Sequence, residues 1–515
     1  MAGLMLSCIC SALDRSIIAV ATPAITAQFN SVGDVGWYGS AYLLTMCAFQ
    51  LPMGKLFAEL DMKYVYLITM AIFEIGSVIC AAAPSSTVLI VGRAIAGVGG
   101  AGIVAGALIV VGTATSVTQR PGYLALLGAT INLGQAFGPL IGGALVERAS
   151  WRWCFLINLP CGAVTAVLLI TSLQLPPRAS RPRGSSWIHS FALLLDLLDA
   201  QSAAILIPSI VSLLLALQWG GSVEPWSSWK CILLLCIFGI TFLCWVYMQY
   251  RRADRATVPP RILKQRSVAF GSFYSMTAFG ASMVMLYYLP IWFQAVRGVS
   301  ALEAGIDLSP LMVAWAVLLI VSAQVTARTG YVTAQMVMAS VLMSVMLGLI
   351  TRYDLQTSKA YWVTTLFFYG CGVGLGVQLP ILAAMALLKG KDVALGSSLI
   401  MFLQVMSGTI MVSVGQNLFT QRLGSSLAAS APGVSLDVVL SAGNEEIAQK
   451  MGRIYGPEQV AGILTAYNES IVYVFFFAMI LACLTIIGSV GMEWRNINKV
   501  QVYEGGTHTS EEELR

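Results

Sequence analysis

The sequence GQAFGPLIGG runs from Gly134 to Gly143 inside a long apolar segment. Gly134, Gly138 and Gly142 recur every fourth residue, a step that advances an α-helix by about 40° beyond a full turn, so the three share one helix face. Another helix can approach closely along such a bare stripe, as it does in membranes. Pro139 removes one backbone donor and favours a bend. Two interpretations are open at this point: a hinge in a protein that moves, or a static packing seam.

The composition predicts a polytopic membrane protein. The 515 residues are 57% hydrophobic and 10% charged, with a mean hydropathy of +0.80, whereas a soluble domain carries about 25% charged residues. At about 20 residues per spanning helix, the apolar stretches supply fourteen spans. The predicted spans are 2–28, 37–55, 64–83, 87–113, 122–146, 154–174, 201–217, 229–249, 268–293, 303–325, 333–351, 361–388, 393–418 and 468–490.

The distribution of basic residues predicts the orientation. With the N-terminus inside, most of the 29 Lys and Arg fall in loops on the inner side, which places both termini in the cytoplasm. We expect a multi-pass protein of the cell membrane, with the vacuolar membrane as the alternative. The first segment lacks a basic start and is longer than a signal peptide. The near absence of polar sequence before it leaves open whether a natural leader is missing.

Soluble-enzyme chemistry finds little support in the sequence. The two histidines, His189 and His508, lie outside the predicted spans, and the 11 cysteines lack zinc-site spacing. GCGVGLG, from Gly370 to Gly376, has neither a preceding strand nor the G-K-[ST] ending of a nucleotide loop. We therefore predict a monomer that is not an enzyme and needs no cofactor, metal or nucleic acid. Its expected partners are a small-molecule substrate, protons and the lipid bilayer.

Charged residues inside apolar spans are the candidate functional groups. Asp14, Arg15, Glu74 and Arg93 lie in such segments, where each charge costs about 2.5–3.5 kcal/mol on insertion scales. Arg93 stays protonated and can hold a buried carboxylate in its charged form. Asp14 or Glu74 is then a candidate to bind and release a proton as solvent access alternates. The alternative is a static ion pair between spans. Gly97 shares a helix face with Arg93, so something is expected to pack closely beside the arginine.

Isolated amides in the spans predict a substrate path. A large apolar cavity with scattered amides would suit bulky amphiphilic molecules better than sugars or ions. For Trp292, a place in the interfacial aromatic belt is favoured over the rim of a cavity. The amides predicted to line the path are Gln50, Asn132, Gln135, Gln378 and Gln404.

Together these motifs resemble the major facilitator superfamily, and within it the fungal fourteen-span drug:proton antiporter family, of the toxin and multidrug efflux type. The stretch from Gly134 to Gly143 is similar to the family's span 5 antiporter signature, G-x-x-x-G-P-x-x-G-G. LIVGRAIAGVGGAG, with Arg93, looks like its span 4 motif, and Asp14 stands in a span 1 motif. Further similar segments are WRWCFLINLP (151–160), LLALQWGG (214–221), ATVPPRIL (256–263) and YYLPIWFQAVRGVSALEAG (287–305).

The resemblance implies an all-α polytopic membrane protein with the major facilitator fold, in which two six-helix bundles flank two extra central helices. Substrate would bind between the bundles, and their rocking would alternate access. The implied units are an N-terminal bundle (1–174), a linker with two additional spans (175–265), a C-terminal bundle (266–490) and a cytoplasmic tail (491–515).

The implied function is proton-coupled efflux of small, largely apolar molecules such as toxins, secondary metabolites or drugs. Arg93 and Asp14 would couple transport to protons with the help of Glu74, and the glycine stripe would control closure and limit proton leak. One alternative is a proton-linked transporter of siderophores or basic amino acids in the vacuolar or plasma membrane, although few acidic residues are available for a cationic substrate. A non-transporting sensor is the other alternative, and the short tail argues against it.

One loop departs from the superfamily pattern. The loop between spans 2 and 3 usually reads G-x-L-x-D-R-x-G-R, but here GKLFAELDMK runs from Gly54 to Lys63. Ala58 replaces the aspartate, which puts the usual gating salt bridge in doubt. Glu59 and Asp61 are the candidate substitutes.

Overall fold

A computed structural model describes residues 1–29, 31, 34–116, 119–172, 199–221, 224–441 and 447–496. Over these residues the chain is nearly all α-helix, with two isolated β-bridges, so the predicted all-α class is confirmed. Most of the predicted loop before the seventh span (173–198) and most of the tail (497–515) lie outside the described residues.

The described helices follow the order of the predicted spans. They are α1 (Ala2–Phe29), α2 (Val35–Glu59), α3 (Met62–Ala82), α4 (Ser86–Ala114), α5 (Arg120–Arg148), α6 (Trp153–Leu156), α7 (Asn158–Ser172), α8 (Ala200–Trp219), α9 (Trp229–Arg252), α10 (Pro260–Leu263), α11 (Arg266–Arg297), α12 (Ala301–Asp307), α13 (Ser309–Thr329), α14 (Val332–Ile350), α15 (Lys359–Gly376), α16 (Leu379–Leu387), α17 (Lys391–Ser430), α18 (Leu436–Ser441), α19 (Ile447–Gly452) and α20 (Pro457–Gly491).

The span count is compatible with the prediction without settling it. Among the described residues, 11 helices are long and apolar enough to cross a membrane, or up to 12 when the bent α1 counts as one span. The other two predicted spans correspond to α2 and α5, which are 25 and 29 residues long but fall outside that set. The number fourteen therefore stays a prediction.

Three predicted spans are divided where the sequence disfavours a continuous helix. α12 ends just before α13, and α15 ends just before α16; both α13 and α16 carry a proline in their first turn. A proline is accommodated there because its missing N–H has no helical partner, but it disrupts a helix that continues through it. The short α6 likewise ends just before α7 begins. α17 and α20, with 40 and 35 residues, extend beyond spans 13 and 14.

The helix contacts define two groups of helices, one from the N-terminal half and one from the C-terminal half of the chain. In the first group α1 packs on α5, α2 and α3 pack on α4, and α7 packs on α1 and α3. In the second group α11 packs on α17 and α20, while α15 packs on α13 and α14. α8 and α9 pack on each other, and α8 contacts both α2 and α17. The two groups also meet directly through α2 with α17 and α5 with α13.

These direct contacts lie toward one end of the bundle, which we call the closed end. Glu59 at the end of α2 pairs with Lys391 at the start of α17, at 2.6 Å. Arg120 at the start of α5 donates a hydrogen bond of 2.9 Å to the carbonyl oxygen of Met385 in α16. By the predicted topology, this end faces the cytoplasm.

Candidate functional site

Asp14 of α1 and Arg93 of α4 form an ion pair inside the first group of helices. Arg93 Nη1 lies 2.5 Å from Asp14 Oδ2, and each residue is 1% exposed. The carboxylate that Arg93 holds is therefore that of Asp14, one of the two that the sequence offered. Because removing one partner from a buried pair leaves an uncompensated charge, the pair is costly to break.

Two further helices enclose the arginine. Arg93 Nε donates a 2.9 Å hydrogen bond to the carbonyl oxygen of Tyr38 in α2. The guanidinium carbon lies 4.7 Å from the ring centre of Tyr42 and 5.9 Å from that of Phe155, within the range of cation–π attraction. Gly97 lets α2 come this close, since a Cβ there would overlap the carbonyl oxygen of Tyr42. The neighbour predicted beside the arginine is thus α2.

Asn158, in the first turn of α7, completes the site, and the sequence reasoning missed it. Its Nδ2 donates to Asp14 Oδ1 at 3.2 Å and to Ser77 Oγ of α3 at 3.1 Å. Both Asp14 oxygens therefore receive a donor, which stabilises the carboxylate. A signal for Asn158 was available, because it is a polar amide within the apolar run WRWCFLINLP.

Glu74 of α3 lies close to this site but is not part of the ion pair. Neither of its buried carboxyl oxygens has a hydrogen-bond partner among the described residues. The carboxyl group lies against Gly162 of α7, where an added Cβ would be 2.6 Å from Glu74 Cδ. The three predicted coupling residues therefore divide into a salt-bridged pair and one carboxyl group without a donor.

The glycine stripe of α5 faces α1. Gly134, Gly138 and Gly142 all contact that helix, whereas Gly143 has more room. α5 continues as a helix through position 139, but the side chain of Pro139 lies outside the described part, so the bend stays a prediction. A Cβ built on each glycine would lie 2.8 Å from Ala12 Cβ at position 134, 2.9 Å from Ser16 Cβ at 138, 2.5 Å from Ile17 Cγ1 at 142 and 3.8 Å from Val20 Cγ1 at 143.

The amides of the predicted substrate path do not form one cluster. Gln50 is fully buried between the two groups of helices, with its Nε2 3.8 Å from Met401 Sδ. Gln404 is bound within the second group, where its Nε2 donates to the carbonyl oxygen of Val377 at 3.4 Å. The remaining three amides are half-buried: Asn132 and Gln135 on α5, and Gln378 at the break between α15 and α16.

The unusual loop between α2 and α3 contributes Glu59 to the closed end. Its salt bridge with Lys391 joins the two groups of helices. Glu59 was one of the two candidates to replace the aspartate that this loop lacks. Asp61 has a different role, because it caps α3 by accepting a 2.9 Å hydrogen bond from the backbone N–H of Lys63. Lys55, one turn before Glu59, donates to the carbonyl oxygens of residues 255 and 256 at 2.9 and 3.1 Å. The segment after α9 is thereby attached to α2.

The expectation for Trp292 is wrong. A belt residue exposes its ring to lipid headgroups, but Trp292 is fully buried in the second group. Its Nε1 donates a 2.8 Å hydrogen bond to Asn468 Oδ1 of α20, and its ring lies 4.9 Å from that of Tyr353. A single sequence cannot separate the two environments, because both accept a tryptophan with one polar partner.

Comparison with the sequences and folds of known proteins identifies the family of this chain. Residues 4–413 match the family described as Major Facilitator Superfamily. The chain belongs to the Major Facilitator Superfamily. Within this superfamily it is similar to the MFS-type efflux pump MFS1 of Arthroderma benhamiae, at 45% identity over 495 residues that cover 96% of this chain and 91% of the relative. It is also similar to the efflux pump aflT of Aspergillus parasiticus, at 42% identity over 96% of this chain and 95% of the relative.

Solved structures of the superfamily agree with the fold. The proton:xylose symporter XylE aligns with a TM-score of 0.57 at 12% identity, over 97% of each chain. The human organic anion transporter MFSD10 aligns with a TM-score of 0.56 at 14% identity, over 93% of this chain and 98% of that one. At such identities the likeness concerns the fold alone. The family match and the relatives named efflux pumps make this protein a multi-pass membrane transporter rather than an enzyme.

Proposed function

We propose that this transporter exports small, largely apolar molecules, such as toxins, secondary metabolites or drugs, in exchange for protons. The support for export is the extent of similarity to relatives named efflux pumps, 42–45% identity over nearly the whole chain. The single observation that carries proton coupling is the buried pair of Asp14 and Arg93. It joins α1 to α4 and receives further contacts from α2 and α7.

A proton that binds Asp14 neutralises the carboxylate and removes its charge attraction to Arg93. The contacts of Asp14 with α4 and α7 then weaken together, so the packing of α1 depends on the protonation of one group. Arg93 remains charged and keeps its contacts with α2. Each charge that crosses a potential of 100 mV supplies about 2.3 kcal/mol, which is enough to drive export against a gradient.

The proposed arrangement follows the predicted units: bundles at 1–174 and 266–490, with 175–265 as the linker that holds the two extra helices and 491–515 as the tail. The closed end faces the cytoplasm, where both termini lie, in the cell membrane or the vacuolar membrane, and the protein acts as a monomer. Asn132 and Gln135 of α5 and Gln378 remain the half-buried amides available to a substrate, since Gln50 is buried between the two groups of helices and Gln404 is hydrogen-bonded within the second group. The glycine stripe lets α5 move against α1.

The test is export of the lipophilic dye rhodamine 6G from cells that express the protein, with and without a protonophore. We expect export to stop when the proton gradient collapses. Asp14→Asn and Arg93→Ala are expected to abolish gradient-driven export, whereas the same chemical change at the exposed Asp254 is expected to have no effect. Export that survives the protonophore would refute proton antiport. Normal proton-dependent export in both site variants would remove the roles assigned to Asp14 and Arg93.

A further inference from the structure

Three buried oxygen atoms beside the ion pair lack a donor within the described ranges of the chain. They are Asn158 Oδ1 and both carboxyl oxygens of Glu74, none of which has a hydrogen-bond partner among the described residues. Buried acceptors are nearly always satisfied in proteins, and an ionised carboxylate without a donor is the most costly kind to bury. All three atoms lack a hydrogen-bond donor, which a protonated side chain or a water molecule can supply.

The three atoms belong to one small region between α3 and α7. Ser77 and Asn158 are joined by a hydrogen bond, and Glu74 and Gly162 are in contact. Glu74 precedes Ser77 by three residues on α3, and Gly162 follows Asn158 by four on α7. The two contacts are therefore one helical turn apart on both helices.

The orientation of the Asn158 amide is set by its neighbours. Both hydrogens of Nδ2 are used, one by Asp14 and one by Ser77. The reversed amide would direct its oxygen at the Asp14 carboxylate, where two acceptors would repel. Asn158 Oδ1 is therefore a buried acceptor that is still available, in a side chain that is 1% exposed.

No cation in the part of the chain that the structure describes donates a hydrogen bond to Glu74. Arg93 is already occupied by Asp14 and by the carbonyl oxygen of Tyr38. A protonated Glu74 needs no cation and supplies one donor to a region of unsatisfied acceptors. Among the described residues, the titratable groups that interact electrostatically with Glu74 are Asp14 and Cys10 of α1.

We propose that Glu74 is a second proton-carrying group of the transporter. It holds a proton while Asp14 is paired with Arg93, and Asn158 Oδ1 is the acceptor that this proton, or a water carrying it, meets. Each cycle then binds two protons, one on Asp14 and one on Glu74, and releases both to the cytoplasm in exchange for one substrate molecule. Asn158 is a positioning residue that orients the Asp14 carboxylate through Nδ2. This inference rests on the proposed proton antiport.

The experiment measures the proton stoichiometry of the full-length protein in liposomes, with the membrane potential clamped at zero and rhodamine 6G as the probe. At a pH difference of one unit, two protons per dye molecule support an equilibrium dye gradient of about 100-fold and one proton supports about tenfold. We expect the larger gradient for the wild type and the smaller one for Glu74→Gln, which keeps the shape of the side chain. Glu74→Asp, which retains an acid, is expected to keep the larger gradient.

The outcomes separate this inference from the proposed function. No proton-driven gradient in the wild type would refute the antiport itself. A wild-type gradient near tenfold would refute the second proton while leaving antiport in place, and this result requires no variant to fold. A Glu74→Gln gradient equal to that of the wild type would also overturn the role of Glu74.

Discussion

The glycine seam between α5 and α1 allows a prediction with an internal control. In Gly138→Ala, the new methyl group would overlap Ser16 Oγ and lie 2.9 Å from Ser16 Cβ and 3.3 Å from the backbone nitrogen of Ile17. In Gly143→Ala, on the same helix, the nearest atom is Val20 Cγ1 at 3.8 Å, an ordinary contact. Rotation of Ser16 can remove its hydroxyl from the path, but its Cβ and the backbone of α1 cannot move without shifting the helix.

Such overpacking costs about 1–3 kcal/mol, offset in part by the better helix propensity of alanine, by about 1 kcal/mol. A transporter with alternating access has an inward-open and an outward-open conformation. If α1 and α5 stay in contact in both, the two conformations bear the net cost equally. The melting temperature then falls, and the rate per folded molecule does not change. If the seam opens in one conformation, only the other bears the overpacking cost, while the gain in helix propensity is the same in both. A difference of about 1–3 kcal/mol then shifts their equilibrium by about 5–150-fold.

The assay compares the dye export rate per folded molecule with the melting temperature for Gly138→Ala, Gly143→Ala and the wild type. We expect Gly138→Ala to reduce export several-fold and Gly143→Ala to leave it unchanged. Gly138→Leu, with a larger side chain, should reduce coupled export further while membrane insertion remains intact. A lower melting temperature with unchanged export in Gly138→Ala would mean that the stripe is only a packing seam.

Three further predictions concern contacts of the two halves. Glu59→Gln removes a salt bridge that is partly exposed and worth about 1 kcal/mol at most, so protease accessibility of the closed end should rise by no more than about fivefold. Lys391→Gln should have the same effect. If the effects of the two substitutions add up in the double variant, the two side chains do not form a direct bond. Gln50→Ala is expected to alter the rate at which the two transporter conformations interconvert, measured by stopped-flow dye quenching, and not the equilibrium affinity for the dye. A changed affinity would mean that Gln50 contacts the substrate. Asn468→Ala leaves the buried Trp292 Nε1 without its acceptor, at a cost of about 1–3 kcal/mol, so calorimetry should show a lower melting temperature, whereas an unchanged value would mean that the hydrogen bond is replaced.

The features that follow from local chemistry were predictable from the sequence. Hydropathy gave the order of the helices, because a backbone in lipid must satisfy its own hydrogen bonds. Asp14 and Arg93 were recognisable because charges are rare in apolar segments. The partner of Arg93 was not, since Asp14 and Glu74 are equally acidic, and only the packing of α1 against α4 selects one of them.

Other parts of the site depend on contacts between distant segments. Asn158 is one amide in the sequence, and its role comes from the approach of α1 and α3 to the start of α7. Gln50 and Gln404 looked like substrate ligands because amides in apolar spans need polar partners. Gln404 and the Nε2 of Gln50 find such partners in the protein itself, which no periodicity reveals, whereas Gln50 Oε1 has none among the described residues. Glu59 was a candidate only because its loop departs from the superfamily pattern.

The hydrogen bonds of Asn468 have a consequence for biosynthesis. Asn468-Glu469-Ser470 has the form of an acceptor sequence for N-linked glycans, and the predicted topology puts it on the side that faces the secretory lumen. In the folded protein, however, Asn468 Nδ2, the atom that would carry the sugar, donates to the carbonyl oxygen of Tyr353 at 3.2 Å, and Ser470 is fully buried. Oligosaccharyltransferase and the packed second half therefore compete for the same amide.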